Sequence, residues 1–203
     1  MVASVFETEP IETEPIFELD PIVIQLTDEQ FEELCRNNRD LRFEQTAAGD
    51  LIIMPPTGWE TGNRNSEMTY QVQAWSRQTK TGKAFDSSTG FILPNGAKRS
   101  PDASWVSQVR LDALNPNPDK FLPLAPDFAI ELRSKSDNLR TVRQKMQEYM
   151  AVGVRLGWLI NPQDKQVEIY RLNQPVEILQ SPEQLSGEEV LPGFILELKE
   201  IWG

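Results

Sequence analysis

The chain has 203 residues, 31 acidic against 20 basic side chains, a single cysteine and no histidine. Histidine acid–base chemistry, Ser-His-Asp triads and Cys/His zinc clusters are thereby excluded, which leaves carboxylates with a hard, oxygen-preferring cation as the main route to catalysis. The length and a hydrophobic content of 39% suit one domain with a sizeable core.

The charge is unevenly placed. Residues 1–35 hold ten acids and no base, so the remainder carries 21 acids against 20 bases. Between Arg133 and Lys145 the balance reverses, with Arg133, Lys135, Arg140, Arg143 and Lys145 opposed by Asp137 alone. A local positive surface of that kind suits a polyanionic substrate, although a solvated helix face has the same composition. No apolar run approaches the roughly 18–20 residues of a membrane span, and the amino terminus lacks a basic-then-apolar signal. Cys35 has no second cysteine to pair with, and the expected location is cytoplasmic.

In chain order, Glu7-Thr-Glu-Pro-Ile is repeated at once from Glu12. Such proline-punctuated acidic segments bury too little apolar surface to offset ordering entropy, so residues 1–21 read as an acidic disordered tail and 22–203 as the domain. Thr27-Asp-Glu-Gln30 fits a capping box and predicts a helix to about Asn37 with Phe31 and Leu34 inward. Leu41–Gln45 and Leu51–Met54 flank Ala-Ala-Gly-Asp as a hairpin. Asn63 to Lys80 reads as a long helix with Met68, Val72 and Trp75 on one face and Gly82 as its stop. Strands follow around Phe85, at Phe91–Leu93 and at Ala103–Val106, with a tight Asn95-Gly96 turn before the last. A short helix over 107–114, a proline-rich loop over 115–126 and a buried strand at Phe128–Leu132 come next. Leu139 to Ala151 carries the apolar stripe Leu139, Val142, Met146, Tyr149 and Met150, closed by Gly153. Further strands are expected at Gly157–Ile160, Gln166–Arg171 and Val176–Leu179, before a final apolar stretch to Trp202.

The chemistry-bearing residues fall on these elements. Ser100-Pro101-Asp102 leads into one strand, and Glu131 lies inside the next, where an acid is expensive to bury without a partner. Asp127 shares a face with Glu131 but lies about 13 Å along the strand at roughly 3.3 Å per residue, too far to share an ion, and it reads as a strand-opening residue. Asp102 is the better partner. The two carboxylates, with a backbone carbonyl such as that of Leu132, would hold one divalent ion that acidifies water and neutralises phosphate charge. Arg133 could be a simple ion-pair partner of Glu131. Lys145 borders the buried helix stripe, from which its ammonium could reach the carboxylates or remain in solvent. Glu44, before the hairpin turn, is a possible further carboxylate. Ser134-Lys135 does not suggest a serine–lysine hydrolase, because adjacent strand residues face opposite sides.

Together these residues resemble the PD-(D/E)xK restriction-endonuclease-like superfamily, and more narrowly the Uma-two endonuclease family, a former domain-of-unknown-function family numerous in cyanobacteria. The resemblance runs over about 24–202. It rests on Arg-Phe-Glu44, Gly49-Asp-Leu-Ile-Ile-Met-Pro-Pro-Thr-Gly58, Phe91-Ile-Leu-Pro-Asn-Gly96, Ser100-Pro-Asp102-Ala-Ser-Trp105 and Ala125-Pro-Asp127-Phe-Ala-Ile-Glu131-Leu-Arg-Ser134. It continues through Lys145-Met-Gln-Glu-Tyr149, Gly153 to Pro162 and Val167-Glu-Ile-Tyr170. It implies an α/β fold with a mixed central sheet flanked by helices, a homodimer, and a magnesium or manganese site drawn from Asp102 and Glu131. One departure stands out: Arg133 occupies the position of the Glu-x-Lys lysine, and arginine stays protonated near neutral pH. Lys145 matches the family's Lys-x-x-x-Tyr stretch and is the candidate to take over that role. The expected function is divalent-metal-dependent phosphodiester hydrolysis of DNA, with Asp102, Glu131, Lys145, Arg133 and Glu44 as site residues. The alternatives are a catalytically silent module of this fold that binds nucleic acid or protein, and a hydrolase of another phosphoester.

Overall fold

The structure is a computed structural model that describes residues 26–203. The expected acidic tail and the expected domain start at residue 22 lie outside the described residues. Among the described residues no helix is long and apolar enough to cross a membrane.

The helix α1 (Asp28–Asn37) begins as its sequence requires. Thr27 Oγ1 accepts from the Gln30 amide at 3.3 Å and Gln30 Oε1 accepts from the Thr27 amide at 2.9 Å, so two otherwise orphaned donors are satisfied reciprocally. β1 (Arg42–Gln45) and β2 (Leu51–Met54) pair as the expected hairpin. α2 (Trp59–Thr79) starts four residues before the expected Asn63, after a Gly58 cap. Its first turn, Trp59-Glu-Thr-Gly62, has one exposed aromatic residue and no apolar period, so nothing in the hydrophobic pattern marks it. The stop also differs: Lys80 adopts the left-handed conformation (φ 56°) that ends the helix, while Gly82 opens β3 (Gly82–Asp86).

The Asn95-Gly96 turn joins β4 (Phe91–Ile92) to β5 (Lys98–Arg99), a strand the sequence did not announce. Two basic residues do not look like a strand. Both are nevertheless buried, because acids from other elements close over them. β6 (Ala103–Ser107), α3 (Gln108–Leu114) and β7 (Phe128–Leu132) lie close to their expected positions. α4 (Leu139–Ala151) has the bounds its stripe predicts. β8 (Leu156–Asn161), β9 (Gln166–Arg171) and β10 (Glu177–Gln180) follow. The closing stretch resolves into a hairpin of β11 (Gln184–Ser186) and β12 (Ile195–Glu197) and a short α5 (Lys199–Trp202).

The central sheet has six strands in the order β10-β9-β8-β7-β6-β3. Only β7 and β8 run parallel, joined by α4 as the crossover a parallel pair needs, so the sheet is mixed. On one face, Met68, Val72 and Trp75 of α2 pack with Trp105, Phe128, Trp158 and the carboxy-terminal Phe194 and Ile201. On the other, Met146 and Tyr149 of α4 pack with Val106, Ala129, Leu159 and Tyr170. A Cβ at Gly157 would sit 2.6 Å from Met146 Cε, so glycine permits α4 to lie close on β8. β7 is buried along its whole length, as a central strand covered on both faces should be. A second sheet, β2-β1-β5-β4, carries Glu44 toward the α4 face.

Candidate active site

β6 and β7 pair antiparallel with Ala103 opposite Ile130 and Ser104 opposite Ala129. The same register carried one step further sets Asp102 opposite Glu131, on the sheet face that α4 covers. Directly opposed residues of this kind have Cβ atoms about 4.5–5.5 Å apart. Asp102 is fixed at both oxygens. Its Oδ2 accepts from the Leu132 amide at 2.8 Å, and its Oδ1 accepts from Asn65 Nδ2 of α2 at 3.1 Å. Leu132 therefore contributes its N–H to this acid.

Lys145 does turn toward the carboxylates. Its ammonium lies 2.9 Å from Glu131 Oε1 and 2.8 Å from Glu44 Oε1, with only 15% of the side chain exposed. Tyr149, one helical turn on, donates its hydroxyl to the same Glu131 Oε1 at 2.8 Å. The four-residue spacing on α4 is what allows both side chains to reach one acid. Glu131 Oε2 accepts no hydrogen bond among the described residues.

Glu44 comes from β1, on the other sheet. Its Oε1 also accepts from the Ser100 amide at 2.9 Å, and its Oε2 takes Arg99 at 3.1 Å. Arg99 is shared with Glu148 of α4 at 2.6 Å. Two cations and an amide thus already meet Glu44, whereas Asp102 is held by neutral donors alone, and Glu44 acts as a positioning acid for Lys145 and for the Arg99-Ser100 segment leading to Asp102.

The electrostatics follow from burial and from an excess of acid. Among the described residues, Glu44, Asp102, Glu131 and Glu148 face only the cations Lys145 and Arg99. Burial raises Glu131, and the neighbouring Asp102 and Glu44 charges raise it further, to about 7 against the pull of Lys145. Burial likewise raises Asp102, despite the Leu132 amide. Burial would raise Glu44 too, but Lys145 and Arg99 outweigh it and hold that carboxyl below its usual value. Burial works to deprotonate Lys145, yet Glu131 and Glu44 together raise it above the ordinary lysine value. Lys145 is therefore a fixed positive charge and not a proton acceptor near neutral pH.

The remaining sequence expectations separate cleanly. Arg133 does not pair with Glu131: its guanidinium lies 3.6 Å from Asp164 and donates to Asn161 Oδ1 and the Asp137 carbonyl at 3.4 Å. Strand alternation put it on the Glu131 face, but β7 ends at Leu132 and the chain turns there. Asp127 sits at the other end of β7, where it accepts from the Ser107 amide at 2.8 Å and pairs with Arg110, a structural role as expected. The basic run from 133 to 145 is largely neutralised by acids distant in sequence: Lys135 meets Glu60, Arg143 meets the buried Glu168, and Lys145 meets Glu44 and Glu131. Asn65, Arg99, Glu148 and the Tyr149 hydroxyl were not picked out from sequence. Only Tyr149 left a signal there, four residues after Lys145 on one helix face.

A divalent ion is the group this fold implies, and the side chains suit one. The acids outnumber the local cations, one oxygen of Glu131 is uncommitted, and Asn65 Oδ1 is buried beside Asp102 without a partner among the described residues. A buried, unpaired amide oxygen costs about 1–3 kcal/mol and is a hard donor that a cation or its hydration water satisfies. Among the described residues no three Asp, Glu or Cys side chains form a ready-made cage, so Asp102 and Glu131 would hold such an ion with water as its further ligands.

The architecture matches the crystal structure of a putative nuclease belonging to DUF820 from Anabaena variabilis ATCC 29413, with a TM-score of 0.67 and 20% identity over 79% of this chain and 89% of that one. The fold is that of the restriction-endonuclease-like proteins. No curated protein sequence matches the chain. The Uma2 family model, described as "Putative restriction endonuclease", matches residues 28–199, and the chain belongs to that family.

Proposed function

We propose that this protein hydrolyses phosphodiester bonds of DNA in a reaction that depends on magnesium or manganese held by Asp102 and Glu131. The observation that carries the reading is the 2.9 Å approach of Lys145 to Glu131, beside the opposed Asp102. A catalytically silent descendant of the fold has no need to keep two acids and an ammonium together in a partly buried cluster. When bound, the ion supplies Lewis-acid neutralisation of phosphate charge and acidifies water. Lys145 opposes the burial that favours protonation of Glu131, and presents a permanent positive charge where the phosphate gains negative charge. Tyr149 and Lys145 fix one oxygen of Glu131, which leaves the other to face the ion. Asn65 and the Leu132 amide orient Asp102, and Glu44 keeps Lys145 from swinging into solvent.

The test is cleavage of single-stranded, duplex and branched DNA in magnesium and in manganese. Asp102→Ala is expected to lower the rate by more than about 100-fold, since even outer partners of metal ligands cost 10–100-fold. Absence of cleavage by the wild type leaves the binding-module reading in its place, whereas an unchanged Asp102→Ala rate shows that the cleavage does not run through this carboxylate. Restoring the Glu-x-Lys motif gives a second check. Because the chain at residue 133 faces Asp164 and Asn161, Arg133→Lys is expected to change the cleavage rate by less than about tenfold, within roughly 1.4 kcal/mol. A large gain would mean that position 133 turns inward during the reaction.

A further inference from the structure

Four of the five tryptophans contribute to the core, and the fifth, Trp59 in the first turn of α2, is 85% exposed. Tyr70 on the same helix is 67% exposed. At 100° per residue Trp59, Asn63, Ser66, Tyr70 and Arg77 all point within about 40° of one direction. That direction is opposite to Met68, Val72 and Trp75, which pack on the sheet. The five form one solvent-facing stripe along α2. Trp59 and Tyr70 are about 17 Å apart on it at a rise of 1.5 Å per residue.

Neither end of the stripe is neutral ground. Near its start, Asn65 bonds Asp102 and Glu60 pairs with Lys135 of the loop after β7 at 3.4 Å, so the first turns of α2 stand at the edge of the carboxylate cluster. At its far end Arg77, Lys80 and Lys83 line a cleft of about 450 Å³ that contains no acid. None of these three cations pairs with an acid among the described residues. In a chain with 31 acids and 20 bases, an acid-free stripe leading to three unpaired cations is an unusual local composition.

We propose that this face of α2 binds an unpaired segment of the nucleic acid, with bases stacked on Trp59 and Tyr70 and the phosphodiester backbone entering the Arg77–Lys80–Lys83 cleft. The inference rests on the nucleic-acid reading of the carboxylate cluster and adds the form of strand that the protein holds beside it. Two flat aromatic faces in water, separated by the length of several nucleotides and linked by small polar residues, suit bases that are free to unstack. A duplex hides its base faces and leaves those rings without a partner. The cations complement the backbone charge, and nothing on the stripe repels it.

The test uses the full-length protein in chelator, so that binding is read without cleavage. The probes are a fluorescein-labelled DNA single strand and its blunt duplex of equal length. The wild type is expected to prefer the single strand and to show quenching of its tryptophan emission. Trp59→Ala and Tyr70→Ala are each expected to weaken single-strand binding by about five- to hundredfold, the effect of losing one base–aromatic stack. Trp59→Phe and Tyr70→Phe should retain most of the affinity. Removing all three cations should reduce the slope of log affinity against log salt by about 2, at roughly 0.7 per single-strand phosphate contact. Unchanged single-strand binding in both alanine variants overturns the proposal, as does a wild type that prefers the duplex. So does a homodimer seen by sedimentation that Trp59→Ala dissociates, because the stripe would then be covered by a second copy. The readout is independent of the nuclease reading. Cleavage that depends on Asp102 with no effect of Trp59 and Tyr70 removes only this inference, and stacking without cleavage removes only the other.

Discussion

Lys145→Met is expected to lower folding stability by about 3–5 kcal/mol, the usual consequence of removing one partner from a buried ionic cluster. Lys145 sits 2.8 Å from Glu44 and 2.9 Å from Glu131, and both acids are almost fully buried. Methionine fills a similar volume but supplies no charge. Glu44 would retain Arg99 and the Ser100 amide, whereas Glu131 would keep only the Tyr149 hydroxyl. The same substitution is expected to abolish metal-dependent cleavage. Urea denaturation measures the first effect, and the Glu131→Gln/Lys145→Met double variant separates charge from packing. Glutamine removes the stranded charge of Glu131, so the double variant should regain part of the loss, with a coupling of about 0.5–3 kcal/mol. A Lys145→Met protein within about 0.5 kcal/mol of wild type, the range of ordinary surface substitutions, would show that the cluster does not depend on this ammonium.

Manganese is expected to raise the melting temperature strongly at about pH 8 and hardly at all near pH 5, where the acids it needs are protonated. Glu131 titrates near 7 in the folded chain and starts from a reference of 4.5. Between those values the folded state holds a proton that the unfolded state has lost, so this group makes stability fall as pH rises through the window and level off above it. Asp102, raised in the same direction, reinforces the trend. A divalent ion reverses the penalty by binding the ionised pair. At about 100 times its dissociation constant an ion adds roughly 2.7 kcal/mol, or about 5–10 °C for a domain of this size. Thermal scans across pH, with Asp102→Ala as control, test this without any substrate. A shift that is the same at both ends of the pH range, or that survives Asp102→Ala, places the ion elsewhere.

Periodicity in sequence located what depends on local patterning. The α4 stripe, the α1 capping box and the buried β7 run were all legible, because helix and strand periods are properties of consecutive residues. Two site acids were legible for a related reason: a glutamate inside Phe-Ala-Ile-Glu-Leu costs free energy unless something meets it, and Asp102 opens the neighbouring strand. The family resemblance rested on the same residues in order. The acidic tail lies outside the described residues, so that reading stands as composition left it.

Other features depended on which elements the fold brings together. Arg133 shares a strand period with Glu131, but the strand ends one residue earlier and the guanidinium turns to Asp164. Lys98 and Arg99 look like surface residues until Asp28, Glu44 and Glu148, from elements far apart in sequence, close over them. Asn65 is one polar residue among many on α2, and only the docking of that helix against the start of β6 sets it on Asp102. Lys145 was equally compatible with solvent and with the carboxylates from sequence alone. The decision came from β1, which places Glu44 across from Glu131 and leaves the ammonium between two buried acids. Local pattern determines which side chains an element can present, whereas pairing between charges depends on distances of a few ångströms that only the packing of separate elements defines.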